Sequence, residues 1–135
     1  MHELTRDEYL AIQYQFVELF IEHLTDVSSA FGGDLQEMLV LAIVGQVCIR
    51  AVEKGQENAP ISASRISDVT AIPRQTVRRK LQSLERRGWV RQIAGGGWEL
   101  IMIDGTSLAQ AGLRELDSRG IERAVRFVRN MRALV

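Results

Sequence analysis

"ISASRISDVTAIPRQTVRRKLQSLERRG", Ile61 to Gly88, decides the fold. It predicts a helix, a turn and a second helix. The first helix is expected from Ala63 to Thr70, with Ile66 and Val69 facing inward. Pro73 disfavours a continuous helix through Ile72, because its ring crowds the preceding residue out of the α region. It suits the first turn of a new helix, where its missing N–H breaks no bond. The second helix then runs to Arg87 and stops at Gly88.

On a helical wheel, Val77, Leu81 and Leu84 of that second helix share one narrow face, which must be the core face. The opposite face collects Gln75, Arg78, Arg79, Gln82 and Arg86, with Thr76 and Ser83 beside it. These residue types suit the DNA major groove. Arginine donates two parallel hydrogen bonds to guanine, and glutamine pairs with adenine. Arginine also neutralises phosphates and releases their counterions. Arg65 and Arg74, near the two helix starts, are placed to add phosphate contacts beside free helix N–H groups. A charged helix face can also be merely solvated. The surrounding order of elements argues against that here.

Downstream, "WVRQIAGGGWELIMI" reads as a β-hairpin. Trp89, Val90 and Ile93 precede the turn; Trp98, Leu100, Ile101 and Ile103 follow it. Gly95, Gly96 and Gly97 supply the positive backbone angles of a tight turn. Arg91 is the only basic residue of the hairpin and is a further candidate for a phosphate. Both tryptophans read as packing residues. A short helix, a tight turn, an arginine-glutamine helix and a hairpin together make a winged helix-turn-helix.

"SRISDVTAIPRQTVRRKLQSLERRGWVRQI" resembles the DNA-binding core of the MarR-type regulators of bacteria and archaea. The resemblance is carried by the apolar skeleton Ile66, Val69, Ile72, Val77, Leu81 and Leu84, by "LERRGWV", and by "SLAQAG" at Ser107 to Gly112. It covers residues 35–135 and is strong at 62–93. It implies a homodimer with intertwined terminal helices, and repression or activation at a palindromic operator. It also implies tuning by a small ligand or by oxidation; an effector pocket would involve residues such as Tyr14, Phe20 or Met38, which equally suit a core. One departure stands out: the family's wing carries acidic and arginine residues near its tip, whereas "AGGGW" is short and uncharged.

Upstream, Thr5 and Glu8 form a capping box, and Leu10, Phe16, Val17, Phe20, Leu24, Val27 and Phe31 follow near helical spacing. The helix is expected to end at Gly32-Gly33. Asp34 and Glu37 cap a second helix that closes at Lys54-Gly55 and is apolar almost all round, hence central. Gln56 to Pro60 reads as a linker. After Asp104-Gly105, a short helix carries Leu108, Ala111, Leu113 and Leu116. A last one carries the stripe Ile121, Ala124, Val125, Val128, Met131 and Val135. Gly112 and Gly120 blur the boundary between those two. Such stripes need a cover, either a partner subunit or the same core.

The formal net charge is zero, but the charge is segregated. Residues 1–64 carry three Lys/Arg against ten Asp/Glu, residues 65–91 eight against two, and residues 92–135 six against five. The last helix carries Arg119, Arg123, Arg126, Arg129 and Arg132, and the first Asp7, Glu8, Glu18 and Glu22. Opposite signs suggest that the terminal helices lie close together, within one chain or across a dimer; a solvated face, or arginines that extend the DNA-facing field, are the alternatives.

Nothing in the sequence points to catalysis. His2, at a frayed start, and His23 are the only histidines; with the single Cys48, read as a small core residue, they give no zinc-like spacing. No P-loop, dinucleotide or nucleophile-elbow motif occurs. The start lacks a signal peptide's apolar region, and "MLVLAIVGQVCI" is too short and interrupted to span a membrane.

The expected fold is mainly α with a small β-hairpin wing: a winged helix-turn-helix core flanked by N- and C-terminal dimerisation helices. One domain over 1–135 is expected, divided at 5–32, 34–104 and 105–135. The expected function is a bacterial, cytoplasmic, nucleoid-associated regulator: a homodimer on double-stranded DNA, with no enzymatic activity, cofactor, metal or membrane association. Arg65, Arg74, Gln75, Thr76, Arg78, Arg79, Gln82 and Arg91 are the candidate DNA contacts. A winged-helix protein-interaction module without DNA, and a phage or plasmid DNA-binding accessory protein, are the competing readings.

Overall fold

The computed structural model describes residues 3–56 and 59–134. His2, Val135, and Glu57 and Asn58 of the linker lie outside them. Along the chain run α1 (Arg6–Ala30), α2 (Leu35–Glu53), α3 (Ala63–Thr70), α4 (Arg74–Arg86), β1 (Val90–Gln92), β2 (Trp98–Leu100), β3 (Met102–Ile103), β4 (Thr106–Ser107), α5 (Leu108–Gly112) and α6 (Arg114–Leu134). They fall into two compact units: α1 with α6, and the segment Gly33–Leu113. The stretch Ser107–Gly112, grouped with the terminal helices from the sequence, falls in the second unit.

The first unit is a pair of antiparallel helices. Thr5 and Glu8 close the capping box at the start of α1, each accepting from the other's backbone N–H at 3.1 Å. Near its end, Asp26 takes two bonds from Arg119 (2.7 and 2.8 Å), and Arg123 Nη1 stands 2.9 Å away. Further back, Asn130 donates to Gln15 at 3.0 Å, and the Phe127 ring meets Phe16 edge-on at 6.3 Å. Partner numbers that fall as their mates rise define the antiparallel pairing. The opposite charges of the terminal helices thus meet within one chain, with Asp26 as the chief acid. Gly120 does not end a helix: α6 runs through it, and its missing side chain makes room for His23.

Two helices cannot enclose a core. Leu10, Tyr14, Val17 and Ile21 form an exposed stripe along α1, with Tyr9, Phe16 and Phe20 exposed beside it. On α6, Ile121, Val125 and Val128 are exposed at the same spacing.

The second unit is the winged helix-turn-helix. Its fully buried centre is Val40 and Val44 of α2, Ile66 of α3, Val77, Leu81 and Leu84 of α4, and Val90 of β1. Each such side chain contributes about 1.5–3 kcal/mol relative to exposure. By length and composition α2 is apolar enough to cross a membrane, with mean hydropathy 1.7, but here it is a core helix. It is not buried all round, as its composition suggested. Leu35, Leu39, Ile49 and Val52 lie exposed on its outer face, and Cys48 is half-buried.

Val69 also departs from expectation: it is 54% exposed, while Ala63 and Ile66 alone of α3 are buried. The helix is too short to keep both Ile66 and Val69 on the core before the turn swings away. Ile72, buried in that turn, takes the inward role expected of Val69.

β1 and β2 pair antiparallel, with Val90 opposite Leu100, Arg91 opposite Glu99, and Gln92 opposite Trp98. Ile61 adds a further rung on the other edge of β2 by exchanging two backbone bonds with Trp98, at 2.9 and 2.8 Å. Pro60 therefore lies so close to Gly97 that a Cβ there would come within 2.7 Å of its own Cβ. The single strand expected through Ile103 is instead broken at Ile101. A second hairpin pairs Met102 with Ser107 and Ile103 with Thr106. Asp104 and Gly105 turn it with φ of 51° and 77°, the positive angles that a two-residue hairpin loop requires.

Candidate nucleic-acid interface

The turn between α3 and α4 is set by side chains. Ala71 ends α3 in the left-handed conformation, with φ 61°. Ser67 Oγ donates to the Ile72 carbonyl at 2.6 Å. Thr70 Oγ1 donates to the Ile66 carbonyl and accepts from the Ile72 N–H. The Ser67 and Thr70 hydroxyls, the Ala71 N–H and both backbone polar groups of Ile72 thereby find local partners, which fixes the reversal of the chain. Pro73 follows as the N-cap of α4, so no side chain among the described residues caps that helix. Its first N–H groups, with their partial positive charge, stay available to an anion.

From there α4 lies with Val77, Leu81 and Leu84 in the core, which turns Gln75, Arg78, Arg79, Gln82 and Arg86 outward and leaves all five exposed. Arg65 and Arg74 are exposed as well. Thr76 is half-buried and its Oγ1 accepts from Arg79 Nη2 at 3.2 Å, so these two candidates form one local pair. Arg91 on β1 is bound to Glu99 across the strand pair at 3.0 Å, with its side chain 60% exposed. The eight candidates are thus spread over α3, α4 and β1, with α4 holding six.

Two acids that the sequence assigns only to the cap of α2 also act on the flank of α4. Asp34 accepts from the Glu37 N–H as the cap of α2, and its other oxygen takes Lys80 Nζ at 2.6 Å. Burial alone would raise the Asp34 carboxyl, but Lys80 and the Glu37 N–H hold it below its ordinary value. Glu37 is buried, accepts from Ser83 Oγ at 2.7 Å, and has Arg87 Nε at 3.6 Å. Arg87 also lies over the Trp89 ring, 5.0 Å from its centre. Ser83 therefore faces α2 rather than joining the outward face. The spacing of Thr76, Lys80, Ser83 and Arg87 along one flank was the available signal.

The wing tip offers little charge. Ile93 and Gly97 close the turn with a 2.8 Å backbone bond, and Gln92 donates to the Gly96 carbonyl at 3.2 Å. Trp98 is buried and Trp89 half-buried, so both are packing residues. Among the described residues, no carboxylate pairs with Arg65, Arg74, Arg78, Arg79 or Arg86. The described residues also hold no group of three or more metal-ligating side chains.

Residues 55–94 match the family model described as the IclR helix-turn-helix domain. No curated protein and no solved structure matches the chain. Fold, exposed basic helix and domain match together define a helix-turn-helix DNA-binding transcription regulator. The match covers less than a third of the chain and names an IclR-type domain, a different winged-helix family from the one the sequence resembles.

Proposed function

We propose that the protein is a cytoplasmic homodimer that recognises an inverted repeat in double-stranded DNA and regulates transcription there, on a plan like that of MarR-type regulators. The observation that carries the reading is the outward face of α4. It presents Gln75, Arg78, Arg79, Gln82 and Arg86, with Arg65 and Arg74 nearby, and its arginines lack acidic partners among the described residues. Arg78, Arg79, Gln75 and Gln82 read base edges. Thr76 steadies Arg79, Arg65 and Arg74 grip phosphates, and Arg91 adds a weaker contact beside its Glu99 partner. The protein performs no chemistry of its own in this reading.

The exposed stripes of α1 and α6 support the dimer. Two copies of a bare helix pair make a four-helix bundle, which gives Leu10, Tyr14, Val17, Ile21, Ile121 and Val125 a common interior. A two-fold protein then meets two half-sites about one helical turn apart.

The test is selection of purified protein against a random duplex library. Enrichment of an inverted repeat supports the reading. Binding without enrichment points to a non-specific DNA role, and no recovery at low salt points to a protein-interaction module.

A further inference from the structure

We infer that Asp34 and Glu37 are specificity-determining positioning residues: they hold Lys80 and Arg87 away from phosphates and fix the rotation of the recognition helix. The inference rests on the DNA-binding reading above and extends it to residues that touch no DNA.

Asp34 needs only one carboxylate oxygen to cap α2, and that oxygen serves the Glu37 N–H. The other is spent on Lys80, 46 positions away in sequence. Glu37 is stranger still. A helix-start glutamate is ordinarily solvated, yet its side chain is only 6% exposed. A buried carboxylate is costly unless it is well partnered. Its partners here are Ser83 on α4 and Arg87, the residue that caps the end of that helix. The two acids thus grip three consecutive outposts of one flank, Lys80, Ser83 and Arg87, along nearly two turns of helix. That grip resists rotation of α4 about its axis, which would swing Arg78 and Gln82 off the base edges.

It also acts on charge. Attraction between a cation and a phosphate is independent of sequence, so a freed lysine or arginine strengthens binding to every duplex alike. Pairing Lys80 and Arg87 with acids removes two cations from that indiscriminate term and leaves the outward face unaltered. The side chains of Lys80 and Arg87 are 23% and 34% exposed, so both have solvent within reach once released.

The variant Asp34→Asn with Glu37→Gln removes both charges. Asn still caps α2, and Gln still accepts from Ser83. Circular dichroism and thermal melting check that it folds. Affinities for the selected operator and for an unrelated duplex are then measured across salt concentrations. The expected result is tighter binding to the unrelated duplex and a salt slope steeper by one to two, at ~0.9 per phosphate engaged. The ratio of operator to unrelated affinity falls by about tenfold or more, ~1.4 kcal/mol. Adding Lys80→Met and Arg87→Met returns the slope to that of the natural chain. If the double variant does not fold, Asp34→Asn alone carries the test through Lys80, with a slope change of ~0.9. A folded variant with unchanged slope and ratio, while the natural chain binds its operator, overturns the role of the acids and leaves the DNA reading intact. A natural chain that binds no duplex at low salt overturns both.

Discussion

Arg119 holds Asp26 with two sides of its guanidinium, Nε to one carboxylate oxygen at 2.7 Å and Nη2 to the other at 2.8 Å. Arg123 approaches the same carboxylate at 2.9 Å. The Arg119 hydrogen bonds, joined by Arg123 and opposed by burial, lower the Asp26 carboxyl from its ordinary 3.8 to about 2. A depressed acid stabilises the fold where it is ionised. Its contribution is complete above about pH 4 and is lost as pH falls through about 2. Urea titrations from pH 6 to pH 2 are expected to show a midpoint falling most steeply below pH 4. Asp26→Asn should lower the midpoint at pH 6 and flatten its acid dependence. An Asn variant with the same acid profile as the natural chain would remove Asp26 from this account.

Arg78→Ala with Arg79→Ala leaves the core untouched, since both side chains are exposed. The double variant is expected to keep its melting temperature and lose specific binding. If both residues contact phosphate as well as bases, the salt slope falls by up to about two. Normal operator affinity in the folded variant would show that the face has been misassigned.

Gly120 sits inside α6, where glycine is about 0.8–1.0 kcal/mol worse than alanine. An added Cβ would meet His23 Cε1 at 2.9 Å. The Nδ1 atom of His23 is buried without a hydrogen-bond partner among the described residues. Gly120→Ala alone should therefore be neutral or destabilising. In a His23→Ala background the same change should stabilise by about 1 kcal/mol. A double-mutant cycle by chemical denaturation reads the difference directly, and additive effects would mean that the two residues do not collide.

Ala71 carries a left-handed backbone with a β-carbon, at φ 61°. That conformation costs an L-residue roughly 1–2 kcal/mol, part of which glycine returns through its freer unfolded chain. Ala71→Gly is expected to stabilise by about 0.5–1 kcal/mol, and Ala71→Val to destabilise, because branching crowds this conformation further. Melting temperatures of the two variants should move in opposite directions.

Val17→Glu with Ile21→Glu places two charges on an exposed stripe that the dimer reading buries. In sedimentation, the variant is expected to be monomeric at concentrations where the natural chain is a dimer. Helix content should drop little. Identical sedimentation of both would remove these residues from the interface.

The helix-turn-helix was legible because its signals are local. Pro73 and Gly88 bracket α4, and the spacing of Val77, Leu81 and Leu84 alone orients the face that carries Arg78, Arg79 and Gln82. Capping at Thr5 and Asp34 was readable for the same reason. What escaped depends on partners distant in sequence. Asp34 and Glu37 look the same whether they only cap a helix or also grip Lys80 and Ser83. Asp26 was passed over for Glu18 and Glu22, because a periodic charge pattern does not say which acid sits opposite Arg119. The second hairpin did leave a local mark, Asp104-Gly105. It was read as the end of a strand because the apolar run from Leu100 to Ile103 masked the break at Ile101.

The backbone bonds between Ile61 and Trp98 join the entrance of α3 to the wing. A wing attached only through β1 would be a loose flap at the end of the recognition helix. Stitched at this rung, it opens only when the chain just before α3 opens too. The amides of Ile61 and Trp98 should then exchange with solvent deuterons at one common rate, set by the opening of the whole reading head.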